Sequence, residues 1–274
     1  LEKDVVLGTA LIDMYAKCGM FLKAQQVHDE FPFRDTGFRN ALIAGYAQHG
    51  HNRESLSCFQ RMQNEGISPN AITFICILKA CGGIGCVAKG KQIHDEIVDR
   101  GLLEGDVMLG SALVDMYAKC GAIEKAQSVH DALQAHNVVS WSALISGYVE
   151  KDRNHEALKC FESMREEGIC PSAVTFICTL KACASIRDIH KGYQIHDEIV
   201  NRGEDVEKDV LLGTALVNMY AKCGVLTKAQ EVHDNLNVRS EASWNALISG
   251  YVMQGKNHSA LKCLERMQGE GFLP

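Results

Sequence analysis

The sequence predicts an all-α array of stacked helical hairpins, and three observations carry the prediction. A 13-residue stretch, LGTALIDMYAKCG at residues 7–19, returns as LGSALVDMYAKCG at 109–121 and LGTALVNMYAKCG at 212–224, spaced by 102 and then 103 residues. Self-similarity at a fixed period marks a solenoid, in which each unit buries its apolar face against its neighbours and no central core exists. Between the copies the apolar residues recur at helical spacing. Only four prolines interrupt the 274 residues.

Each period divides into three hairpins of 31, 35 and 36 residues. The first, Val5–Asp35, opens with a helix whose Leu7, Ala10, Leu11, Met14 and Cys18 share one face, expected to be the packed one. Gly19 ends it, a glycine just past the last periodic residue suiting a left-handed cap. Its second helix turns Phe21, Ala24, Val27 and Phe31 inward and stops at Pro32. The second hairpin, Thr36–Asn70, carries Phe38, Leu42, Gly45 and Tyr46, then Leu56, Phe59 and Met62 before Gly66 and Pro69. Gly45 recurs as Gly147 and Gly250, which predicts close helix approach rather than a break. The third, Ala71–Asp106, has a helix from Ile72 to about Cys81, a Gly82-Gly83 turn, and a helix through Ile93 and Ile97. The pattern restarts as Val107–Asn137, Val138–Ser172, Ala173–Asp209, Val210–Ser240 and Glu241–Pro274, with one extra residue in the 203–209 turn. Residues 1–4 read as the tail of a preceding third-type hairpin. Neither end shows a polar capping repeat, so the chain is expected to be a window of a longer array, any targeting segment lying outside it.

Nothing approaches 18 consecutive apolar residues, so no membrane span is expected. Of twelve cysteines, ten recur at equivalent positions (18/120/223, 58/160/263, 76/178 and 81/183) on apolar helical faces. That reads as small buried side chains in a reducing compartment, not as disulfides. The net charge of −6 argues mildly against nucleic acid. Its distribution argues the other way: the first helices hold Lys17, Arg39, Lys79, Lys119, Lys151, Lys181 and Lys222 against Asp13, Asp115 and Glu150. A basic stripe inside an acidic shell suits a single strand.

Hairpins near 34 residues first suggest tetratricopeptide repeats, and Trp244, Leu247, Tyr251 and Ala260 echo them. The small residue expected after the leucine is Ile248, however, and the alternation of 31, 35 and 36 residues is foreign to that family. The sequence resembles far more closely the pentatricopeptide repeat proteins of the PLS subclass. VVSWSALISGY at 138–148 resembles a P motif, TFICTLKAC at 175–183 with GYQIH at 192–196 an L motif, and LGTALVNMYAKCG at 212–224 an S motif. On this reading the tract runs S (5–35), P (36–70), L (71–106), S (107–137), P (138–172), L (173–209), S (210–240) and P (241–274, its last residue missing). The resemblance implies a right-handed α-solenoid with the first (A) helices on the concave face, and one RNA base read per repeat.

It also implies roles for residues. The fifth and last residue of each motif bond a base edge: Thr9/Asp35, Asn40/Asn70, Ser111/Asn137, Ser142/Ser172, Thr214/Ser240, and Asn245 without its partner. The L-motif pairs Ile75/Asp106 and Ile177/Asp209 are expected to be weaker. The second residues, Val6, Ile72, Met108, Val139, Val174 and Leu211, pack on base faces, whereas Gly37 and Ala242 lack the bulk to do so. Lys17, Lys119 and Lys222 stand where the family places a phosphate contact. The implied target is single-stranded RNA of order 5′-G-Y-n-A-n-n-n-Y-3′, for editing or processing in a mitochondrion or chloroplast, with accessory editing factors docking at L motifs. A competing use of the last residues is plain: Asp, Asn and Ser preceding a helix are preferred N-caps. Position five is harder to assign so, being Thr, Asn or Ser in the P and S motifs but Ile in both L motifs. A tetratricopeptide-like protein-binding scaffold is the alternative.

Some members of the subclass carry a zinc deaminase, which needs His-x-Glu and Pro-Cys-x-x-Cys. His28-Asp-Glu30, His94-Asp-Glu96 and His196-Asp-Glu198 spell the first half, but no Cys-x-x-Cys exists in this sequence. Repetition of the triplet at one helix position signals packing. Cys76/Cys81 with His94 and Cys178/Cys183 with His196 fall at core spacing, so no metal, cofactor or catalytic residue is expected.

Overall fold

The computed structural model describes residues 2–30 and 36–272, with side chains from residue 6. Among these residues are sixteen α-helices and no strand. In chain order they fall into eight consecutive pairs: α1 (Glu2–Lys17) with α2 (Phe21–Glu30), α3 (Thr36–Gln48) with α4 (Asn52–Asn64), α5 (Ala71–Ile84) with α6 (Val87–Asp99), and α7 (Val107–Lys119) with α8 (Ile123–Ala132). Then follow α9 (Val138–Glu150) with α10 (Asn154–Glu166), α11 (Ala173–Ile186) with α12 (Ile189–Asn201), α13 (Val210–Lys222) with α14 (Leu226–Asn235), and α15 (Glu241–Met253) with α16 (Asn257–Gly269). Odd-numbered helices are the A helices and even-numbered ones the B helices. The chain falls into two compact units, Leu1–Leu144 and Ile145–Pro274, the boundary lying within α9.

Each unit by itself has the α-solenoid build. In the first, α1, α3, α5 and α7 pack in succession, and α2, α4 and α6 each pack on their own A helix and on the next. In the second, α11, α13 and α15 pack in succession, with α10, α12 and α14 each bridging to the A helix that follows. The apolar periodicity dictates this, because a helix with one buried stripe needs a neighbour on either side to cover it. The B-to-next-A contact repeats in detail: Phe59 of α4 meets Phe74 of α5, and Phe161 of α10 meets Phe176 of α11, each edge to face with centroids 6.3 Å apart. Full burial of such a side chain is worth roughly 1.5–3 kcal/mol. Close A-on-A packing rests on glycine: a Cβ on Gly45 would overlap that of Ala16, and one on Gly250 would lie 2.8 Å from that of Ala221.

Three expectations need correction. In α1, Leu7, Ala10, Met14 and Cys18 are exposed, and the buried residues are Gly8, Ile12 and Ala16. No A helix among the described residues precedes α1 to cover the other side. Helix α1 begins at Glu2, so Glu2–Asp4 belong to it rather than to a separate tail. Gly82 and Gly83 are helical, and α5 runs on to a left-handed cap at Gly85, φ 68°. Gly82 serves packing instead, lying where a Cβ would touch Lys119 and Met116 of α7. Phe31, Pro32 and Asp35 lie outside the described residues. All twelve cysteines are free thiols; Cys58, Cys81, Cys160, Cys183 and Cys263 are buried, while Cys18 shares the exposure of α1. Burial pushes the Cys81 and Cys183 thiols up to about 12, so both remain protonated near neutral pH.

Candidate nucleic-acid interface

Wherever the last residue of a hairpin is described, at Asn70, Asp106, Asn137, Ser172, Asp209 and Ser240, it is a helix cap. Asn70, Ser172 and Ser240 accept from the backbone N–H three residues on, at Thr73, Thr175 and Ser243, and each is completed into a capping box by that residue's hydroxyl. Asn137 Oδ1 accepts from Val139 N and Ser140 N at 2.9 Å, while Asn137 N donates to Ser140 Oγ. Asp106 accepts from Leu109 N, and Asp209 from Leu211 N and Leu212 N. These bonds satisfy orphan donors of the helix start, each cap being worth about 1 kcal/mol. The hydroxyls of the buried Thr73, Ser140, Thr175 and Ser243 each accept from the backbone N–H of the residue before the helix and so hold it in place. The sequence carried their signal, a Ser or Thr three residues after each Asn or Ser cap.

The fifth residue of the preceding A helix reaches the same cap. Asn40 Nδ2 donates to Asn70 Oδ1 at 3.0 Å, and Asn40 Oδ1 accepts from Thr73 Oγ1 at 2.6 Å. Ser111 Oγ lies 3.0 Å from Asn137 Oδ1 and 2.6 Å from Val107 O, and Thr214 Oγ1 lies 3.0 Å from Ser240 Oγ. Asn40 and Ser111 are consequently buried, Thr214 half-buried, and Asn245 exposed with its amide 3.4 Å from Glu241 Oε1. Thr9 and Ser142 are half-buried; the partner position of Thr9 is not described, and Ser142 and Ser172 fall in different units. Ile75 and Ile177 are half-buried and offer no polar atom to Asp106 or Asp209.

Capping also decides which atom stays available. With Oδ1 of Asn70 accepting from Asn40 Nδ2 and Thr73 N, and Oδ1 of Asn137 from Val139 N and Ser140 N, their Nδ2 groups have no hydrogen-bond partner among the described residues. Next to each pair an aliphatic side chain stands in solvent. Val6, Ile72, Met108, Val139, Val174 and Leu211, one at the second position of six hairpins, are all exposed, Leu211 at 71%. Exposure of a large apolar group thus recurs at one position of the repeat.

The charges divide unevenly. Arg39, counted above with the basic stripe, is 1% exposed and its guanidinium pairs with Glu65 at the end of α4, so it adds nothing to the surface. Lys17 and Lys119 are exposed but bridged to Asp13 and Asp115 one turn back, at 2.6 and 2.7 Å. Lys222 has Asn218 at that place and, like the exposed Lys181, makes no ion pair among the described residues. In the second unit a hollow of about 550 Å³ opens along α11, α13 and α15, lined by Ile177, Lys181, Thr214, Asn218, Lys222 and Asn245. Two polar fifth-position residues, Thr214 and Asn245, and two unpaired lysines therefore share one groove. The His-Asp-Glu triplets are used in packing: His28 is buried against Phe38, and His94 and His196 place Nδ1 3.0 and 2.7 Å from the hydroxyls of Tyr117 and Tyr220.

Comparisons with known proteins bear on this geometry. A model of the PPR repeat family matches residues 34–83 and 136–185, and a PPR repeat model matches 9–34, 111–138 and 242–272. A chloroplastic pentatricopeptide repeat-containing protein of Arabidopsis thaliana is 37% identical over 272 residues, covering 99% of this chain and 44% of the relative. A mitochondrial one is 36% identical over 294 residues, covering all of this chain and 32% of the relative. The chain thus spans less than half the length of either. The crystal structure of the pentatricopeptide repeat protein PPR10 in complex with an 18-nt psaJ RNA element superposes with a TM-score of 0.78 at 19% identity, over 98% of this chain and 41% of that one.

Proposed function

The chain belongs to the pentatricopeptide repeat family, and from that premise we propose that it binds single-stranded RNA sequence-selectively, one base per P- or S-type hairpin, without catalysing a reaction. The observation that supports this most is the recurrence, along the A helices, of an exposed aliphatic beside a capped and hydrogen-bonded polar pair. The aliphatic covers a base face, and the pair meets its edge. L-type hairpins, with Ile75 and Ile177 at position five, act as spacers and as surfaces for accessory editing factors. The organellar names of the relatives support a mitochondrial or chloroplast RNA editing or processing role, within a PLS-type protein.

Capping gives the selectivity a physical form. An Asn cap spends its carbonyl on the helix and offers N–H donors, which suit base acceptors such as adenine N1 or pyrimidine O2 and oppose guanine N1–H. An Asp cap leaves a carboxylate oxygen, which suits guanine N1–H and N2–H. A good edge contact discriminates by about 1–3 kcal/mol. The order 5′-G-Y-n-A-n-n-n-Y-3′, counted from Thr9, is the one the family resemblance implies for these pairs.

Fluorescence anisotropy with this octamer in a neutral flank tests the reading. Exchanging G and A is expected to weaken binding at least tenfold. Asn137→Asp keeps the cap, since Asp also caps well, but replaces donor by acceptor and is expected to turn the preference at the fourth base from A to G. Equal affinity for every octamer, before and after the substitution, defeats the reading.

A further inference from the structure

A second cavity in unit Ile145–Pro274 shares no residue with the lysine-lined groove. It measures about 660 Å³ and lies among α12, the 202–209 turn, Tyr220 of α13, and α14. One wall is aromatic: the rings of Tyr193 and Tyr220 stand with centroids 5.2 Å apart, and Tyr220 carries His196 against its hydroxyl. The rim is acidic, with Asp197, Glu204, Asp205, Glu207 and Glu231 against Lys228 alone. Lys228 pairs with Glu231 at 2.8 Å, and Lys208 with Asp205 at 2.7 Å. Asp197, Glu204 and Glu207 have no cationic partner among the described residues. Desolvation holds the His196 pKa below its usual value, so the imidazole brings no compensating charge at neutral pH.

The corresponding place in unit Leu1–Leu144 provides a comparison within the same chain. That cavity, about 380 Å³, is lined by Val98, Leu103, Val107 and Leu133, with Glu104 and Asp106 its only charged lining. Lys91 stands where the other has Tyr193, and Ser128 where it has Glu231. The fold therefore does not require an aromatic wall or an acidic rim at this site.

We propose that the cavity among α12, α13 and α14 binds a basic segment of a protein partner, seating a lysine or arginine side chain between the Tyr193 ring and the unpaired carboxylates. A cation over an aromatic face and beside carboxylates gains from both. RNA is disfavoured here by the same carboxylates. A polypeptide, rather than a small cation, is favoured by extent: Tyr193 and Val200, both exposed, lie two turns apart on one face of α12, about 10 Å by helical rise. The inference gives a chemistry to the partner surface assigned above to L-type hairpins, and it stands or falls apart from RNA binding.

The test uses the whole chain and a fluorescein-labelled nonapeptide alternating Lys or Arg with Val, against the same peptide with Glu for each cation. Binding of the basic peptide alone is expected. Tyr193→Lys and Glu231→Ser, which install the residues of the other unit, are each expected to weaken it at least fivefold. The charge-matched controls Gln194→Lys and Glu166→Ser, on exposed positions outside the cavity, are expected to leave it within twofold. Octamer affinity, measured in parallel, is expected to stay unchanged in all four. Equal losses in variants and controls would reduce the effect to the net charge of −6 and overturn the proposal, as would binding of the acidic peptide. Loss of octamer binding in the unsubstituted chain would instead overturn the RNA reading alone.

Discussion

Helices α1 and α7 carry nearly the same thirteen residues and are buried differently. Leu109 and Met116 are fully buried in α7, whereas Leu7 and Met14, their counterparts in α1, are 58% and 45% exposed. The opposite side does not differ: Ile12 and Ala16 are as buried as Val114 and Ala118. The side that differs faces the preceding A helix. For α7 that helix is α5, whose Gly82 lies against Met116, and for α1 no such helix is described. In a repeat fold a residue's environment thus belongs to the junction with the neighbour, not to the local sequence.

The largest effect expected from this difference comes from making one substitution twice. Met116→Ala removes a side chain that also fills the space beside Gly90, and such cavities cost about 2–5 kcal/mol. Met14→Ala, at an exposed position, should fall within about 0.5 kcal/mol. Urea unfolding followed by circular dichroism measures both. Equal costs would mean that α1 is covered as α7 is, and the contrast would dissolve.

The same logic explains what could be read in advance. Hairpin boundaries, the inward Phe38, Leu42 and Phe59, and the tight approach at Gly45 follow from period and residue size, which are local properties. Burial of Arg39 does not: its partner Glu65 lies 26 residues on, at the end of the adjacent helix, and no periodicity reveals a pairing at that distance. Gly82-Gly83 looked like a turn because glycine is poor in helices, yet contact with α7 outweighs a propensity cost of about 1 kcal/mol per residue. At the candidate site the residue types were legible by resemblance. The hydrogen bonds joining Asn40 to Asn70 and Ser111 to Asn137 were not, because they depend on how one A helix is set against the next.

An intermediate effect is expected where the side that does not differ is stressed by acid. His28, His130 and His233 are buried on the B helices against Phe38, Trp141 and Trp244 of the next A helix, with centroids 5.3, 4.2 and 4.2 Å apart. Desolvation, reinforced by Arg239, lowers the His233 pKa to about 4. A base depressed in the folded state stabilises fully above its unfolded value near 6.5, and that contribution is lost as pH falls toward 4. The loss amounts to about 3 kcal/mol across that window. Urea midpoints read from Trp244 fluorescence in a Trp141→Phe background should fall from pH 6.5 to 4, and His233→Phe should flatten the fall. A parallel decline in both proteins would place the sensitivity elsewhere.

The smallest effect concerns a contrast within a single turn. Lys17 and Lys119 each share their charge with an aspartate four residues back, and Lys222 faces Asn218 instead. An exposed pair of this kind is worth only about 0.2–1 kcal/mol, but it competes directly with a phosphate for the same ammonium. Asn218→Asp should therefore weaken octamer binding by roughly two- to fivefold. It should also flatten the plot of log affinity against log salt by up to about 0.7, the share of one phosphate on a single strand. Asp115→Asn, which frees Lys119, should move both quantities the other way. Slopes that stay put in both variants would show that these lysines do not touch the RNA backbone, whatever the bases are doing.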